Sequence, residues 1–88
     1  MARLEVTWSG EGPDGETRQV CGRGSGDRWT FYWRRKRFDA WEELATPSLE
    51  DCRALLDGVR RLAMRQRATA RDEAHLLAFI RKRFPDAG

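Results

Sequence analysis

The sequence predicts an α+β fold: an antiparallel meander of three to four strands, then two α-helices packed on one sheet face. Three observations carry that expectation. Leu4, Val6 and Trp8 alternate with polar residues, as do Trp29, Phe31 and Trp33. Cys52, Leu55, Leu56, Val59, Leu62 and Ala63 instead recur at helical spacing. Six of the eight glycines lie between Gly10 and Gly26, so turn-forming residues punctuate the first half of the chain only. A period of two marks a half-buried strand, and a period near 3.6 an amphipathic helix.

The first strand runs from Arg3 to Trp8, with Leu4, Val6 and Trp8 on one face. Gly10, Gly12, Pro13, Asp14 and Gly15 then supply a hairpin loop, because such residues reach the special dihedrals of turns. A weaker second strand spans Thr17 to Gly22 around Val20, and Gly22, Gly24 and Gly26 read as a second hairpin loop. The third strand spans Trp29 to Arg34. It turns Trp29, Phe31 and Trp33 inward and Thr30, Tyr32 and Arg34 outward. A turn at Arg35-Lys36 would lead into a fourth strand, Arg37 to Glu42, with Phe38 and Ala40 inward. Phe38 to Leu44 also fits a helical turn.

The first helix is expected over about 47–67. Thr46-Pro47 fits an N-cap and first helical position, with Ser48 and Asp51 as an alternative cap. Asp57 and Arg61 stand four apart, on the solvated side. The second helix is expected over about 70–84. Thr69 and Asp72 form its start, and Pro85 ends it. Ala70, Leu77, Ile80 and Phe84 share its apolar face, widened by Leu76 and Phe79.

These elements fill residues 1–88 as one domain. At 40% apolar and 35% charged, the composition is that of a globular chain. No apolar run approaches the roughly 20 residues needed to span a bilayer, so no membrane partner is expected. The N-terminus shows no secretory pattern, and a cytoplasmic location with free thiols at Cys21 and Cys52 is the expectation.

The charge is +3, from 17 basic and 14 acidic residues, which is only mildly basic. It is unevenly placed. Arg28 to Arg37 carries five cations and four aromatics with no acid, while acids gather between Asp39 and Asp51. Such polarity bears on partners rather than on fold.

Catalytic and metal signatures are weak. Two distant cysteines and one histidine cannot locally supply the four ligands of a zinc site. His75 projects to the solvent side, away from any pocket. Gly22, Gly24 and Gly26 precede a strand pattern, whereas phosphate-cradling loops open a helix. Asp39, Glu42 and Glu43 fit a helix start better than a carboxylate site. Cys52 sits on the apolar stripe and Cys21 beside a loop, where it is the more accessible thiol. No cofactor and no enzymatic activity are expected.

The aromatic-basic segment remains. Alternation leaves Tyr32, Arg34, Arg37 and Trp41 on the sheet face away from the helices, with Arg35 and Lys36 in the adjoining turn. Aromatic planes stack on bases and arginines pair with phosphates, so the chain is expected to be a non-enzymatic module contacting nucleic acid through this face. Exposed aromatic and Arg groups also typify protein interfaces. The alternative is therefore a protein-interaction module, a homodimer or a small subunit, using the same face.

Overall fold

A computed structural model describes residues 4–12, 14–25 and 28–86. Strands β1 (Leu4–Glu11), β2 (Thr17–Ser25), β3 (Arg28–Arg34) and β4 (Glu42–Glu43) form one antiparallel sheet in chain order. Helices α1 (Leu49–Met64) and α2 (Ala70–Arg83) follow. The α+β meander with two trailing helices is thus observed.

The register sorts side chains into rows. Trp8, Val20 and Trp33 stand side by side, as do Val6, Gly22 and Phe31, and Leu4, Gly24 and Trp29. This is the helix-facing side. Phe31 is at its centre, edge-on to Trp8 at 6.1 Å and stacked on Phe79 of α2 at 6.0 Å. Val20, Cys52, Leu55, Val59 and Leu76 are fully enclosed around it. Each such side chain contributes about 1.5–3 kcal/mol on leaving water.

The second glycine cluster departs from the expected hairpin loop. Gly22 and Gly24 lie inside β2, which runs to Ser25; Gly26 lies outside the described residues. The reason is room. A Cβ on Gly22 would stand 2.6 Å from Leu55 Cδ2, and one on Gly24 would stand 2.5 Å from the Trp29 ring. The strand gives up side chains so that a leucine and an indole can rest on its backbone.

The fourth strand is also corrected. Instead of Arg37 to Glu42, it is the pair Glu42–Glu43, opposite Trp33 and Tyr32. Residues 35–39 form a turn closed by Asp39 N–H to the Lys36 carbonyl (3.0 Å) and by Lys36 N–H to the Asp39 carboxylate (3.2 Å). Phe38 and Ala40, expected inside, are exposed. An Asp side chain that closes its own turn takes the backbone away from the ladder.

Helix α1 starts at Ser48, not Thr46, in a full capping box with Asp51. It stops at Met64 rather than near 67, in a Schellman arrangement. Gln66 N–H bonds the Ala63 carbonyl, Arg67 N–H bonds the Leu62 carbonyl, and Gln66 takes φ of 60°. The Thr69–Asp72 capping box of α2 forms as the spacing predicts.

Both helices expose a slightly rotated face relative to expectation. Leu56 is half-buried rather than central, and α2 buries Leu76 and Ile80 while Leu77 lies to the side. Trp33 faces the helix side but is only half-buried, with the Arg18 guanidinium 5.6 Å over its ring. Arg18 also reaches the buried Asp51 carboxylate at 3.6 Å, tying β2 to the first turn of α1.

Candidate binding surface

The residues between those rows point away from the helices. Glu5, Arg23 and Thr30 form one open-face row, Thr7, Cys21, Tyr32 and Glu43 the next, and Ser9, Gln19 and Arg34 the third. Trp41, two residues before Glu43, shares that face.

Two stacks dominate it. The Arg23 guanidinium sits 4.9 Å from the Tyr32 ring centre and is held by Glu5 at 2.9 Å. The Arg34 guanidinium sits 4.2 Å from the Trp41 ring centre, while its Nε donates to the Gln19 side-chain oxygen at 2.6 Å. Each ring therefore carries an oriented, planar cation. Cys21, expected to be the accessible thiol, is fully buried between Thr7 and Tyr32. Burial raises its pKa, tempered by a hydrogen bond from Thr7. Cys52 is raised further, to about 11, by burial and then by the neighbouring Asp51 carboxylate. Both thiols are free, and neither is set up as a nucleophile, which requires a depressed pKa or an adjacent base.

The expected patch is thus partly assembled. Tyr32, Arg34 and Trp41 come together on the open face. Arg35, Lys36 and Arg37 do not join them on the sheet, because the segment after Arg34 turns instead of pairing. They form a cationic tip beyond the end of β3. Arg35 lies 3.9 Å from both Asp14 and Glu16. Lys36 and Arg37 are exposed and enter no ion pair among the described residues. Phe38 is 95% exposed beside them, in a turn closed by hydrogen bonds.

Sequence reasoning missed two groups. Arg23 was legible from parity, since Gln19, Cys21 and Arg23 alternate with Val20, Gly22 and Gly24. Phe38 belongs inside only on an alternation that the Asp39 turn interrupts.

Charge on the open face itself is balanced: Arg23, Arg28 and Arg34 share it with Glu5, Glu11 and Glu43. The tip adds Arg35, Lys36 and Arg37 against Asp39, with Arg35 facing Asp14 and Glu16, while the net charge of +3 is carried by residues 47–88. His75, expected on the solvent side, is half-buried on α2. Among the described residues, no group of three or more His, Cys, Asp or Glu is placed to hold a metal ion, and no helix is long and apolar enough to cross a membrane. No protein-family model, curated protein or solved structure matches the chain.

Proposed function

We propose that the chain is a non-enzymatic module that contacts single-stranded nucleic acid through the tip at residues 35–39 and the adjoining Arg34–Trp41 stack. One observation carries the reading: a hydrogen-bonded turn holds a 95% exposed phenyl ring beside Lys36 and Arg37, neither of which enters an ion pair within the described residues. An exposed ring offers a base a stacking surface, and free cations offer phosphates a contact. Arg34 and Trp41 extend the same surface onto the sheet.

Binding of labelled oligonucleotides, followed by fluorescence anisotropy at two salt concentrations, tests this. Phe38→Ala should weaken single-strand binding by about 1–3 kcal/mol. Absence of binding at low salt rejects the reading.

A second reading has its own support. The balanced charge of the open face around Glu5, Arg23 and Tyr32 suits a protein partner better than a polyanion. On that reading the chain forms a dimer or joins an assembly through this face. Trp41→Ala would dissociate it, and salt would have little effect.

A further inference from the structure

We propose that the groove between α1 and α2 docks an acidic amphipathic helix of a partner protein. The groove has a volume of about 330 Å³, and no lining residue belongs to the sheet. Its floor is apolar: Leu49 and Leu56 from α1, with Leu77 and Ile80 from α2 and Phe84 at the C-cap of α2. Leu77, Ile80 and Phe84 follow i, i+3, i+7 and give one apolar stripe, while on α1 Leu49 and Leu56 stand seven apart with Arg53 between them on the same face. Four of these five are only half-buried.

The rim identifies the occupant. Every charged residue lining the groove is an arginine: Arg53, Arg60 and Arg81. Arg60 is held by Glu73 of α2. Arg53 and Arg81 are exposed and enter no ion pair among the described residues. Two unpaired cations flanking an apolar trough complement a helix with an apolar stripe bordered by Glu or Asp. A nucleic-acid backbone satisfies the cations but leaves the leucine and phenylalanine floor in water, so it is the poorer fit. A basic helix is opposed by the unpaired Arg53 and Arg81.

The probe is a labelled peptide of about 18 residues, roughly five helical turns, with Leu on one face and Glu on the other. Its control carries Lys at every Glu position. Fluorescence anisotropy should show the Glu peptide binding about tenfold or more tighter than the Lys peptide, a difference worth about 1.4 kcal/mol. The double change Arg53→Glu and Arg81→Glu should reverse that preference. These side chains are exposed, and an unchanged thermal melt confirms an intact fold. Lys36→Ala with Arg37→Ala should leave peptide binding unchanged, which separates this groove from the nucleic-acid tip. Equal binding of both peptides, or a preference that survives the double reversal, overturns the proposal. So does a dimer of the free protein that Arg53→Glu dissociates, because the groove would then be occupied by a second copy.

Discussion

Gly22→Ala is a one-methyl change with a large expected effect. Two contributions oppose each other. Alanine in a strand loses less backbone entropy than glycine, which favours the variant by roughly 0.5–1 kcal/mol. Against this, the new Cβ would stand 2.6 Å from Leu55 Cδ2 and 2.7 Å from Cδ1. Ordinary carbon contacts lie near 3.5–4.0 Å, so the leucine must retreat by about 1 Å. Leu55 has 0% exposure and is surrounded by Val20, Cys52 and Val59 in the same core, so it has nowhere to go. Overpacking of this kind costs about 1–3 kcal/mol, and the net expectation is a loss of about 0.5–2 kcal/mol.

The double-mutant cycle makes the cause explicit. Leu55→Ala alone should cost about 2–5 kcal/mol as a cavity. With both changes, the methyl added at position 22 no longer meets the leucine and partly fills the space it left. The double variant should therefore lose less than the sum of the singles, by about 0.5–3 kcal/mol. Urea unfolding with unchanged m-values measures all four corners. Additivity within about 0.5 kcal/mol would show that Gly22 and Leu55 do not touch, and would refute the reason given for glycine in β2.

Gln66 adopts φ of 60°, where a side chain costs roughly 1–2 kcal/mol; Gln66→Gly should raise stability by up to about 1 kcal/mol, seen as a higher urea midpoint. The Cys52 thiol, raised from 9.0 to about 11 by burial and then Asp51, favours the folded state fully below pH 9. Above that the unfolded thiol ionises first, so stability should fall by about 1.4 kcal/mol per pH unit up to about pH 11. Cys52→Ala should remove that part of the alkaline loss, and urea midpoints for both proteins at about pH 8 and about pH 10.5, either side of the onset, check it. Lys36→Ala with Arg37→Ala should reduce the slope of log affinity against log salt for a single-stranded oligonucleotide by about two units, measured by anisotropy.

Most of the architecture was legible because periodicity and capping agreed. Leu4, Val6 and Trp8 define the inner face of β1, Thr69–Asp72 marks the start of α2, and the alternative cap Ser48–Asp51, rather than Thr46, starts α1. The failures share a physical cause: a local hydrogen bond or a packing need outweighs pattern. Gly22-x-Gly24 resembles turn chemistry, yet its spacing of two already puts both glycines on one strand face, under Leu55 and Trp29. Arg37 to Glu42 alternates like a strand, but Asp39 closes a turn on Lys36 and moves Phe38 outward. Helix α2 is rotated because Leu77 and Phe84, seven apart, fit a helical face as well as Leu76 and Ile80, four apart, and one-dimensional pattern cannot say which of them meets the sheet. In the site, Tyr32, Arg34 and Trp41 follow from parity. Arg23 over Tyr32 and Arg34 on Gln19 depend on the β2–β3 register, and Glu5 on Arg23 depends on the β1–β2 register and its loop. Gly15 at φ of 81°, with its N–H on the Gly12 carbonyl, fixes that loop.

The most direct test of the nucleic-acid reading is a heteronuclear NMR titration of the isotope-labelled chain with a short single-stranded oligonucleotide at low salt. Shift changes should concentrate at Arg34, Lys36, Arg37 and Phe38 and at the Trp41 indole N–H, fading as salt is added, with Arg53 and Arg81 undisturbed. Shifts centred on the groove between α1 and α2, or no shifts at millimolar oligonucleotide, would contradict it.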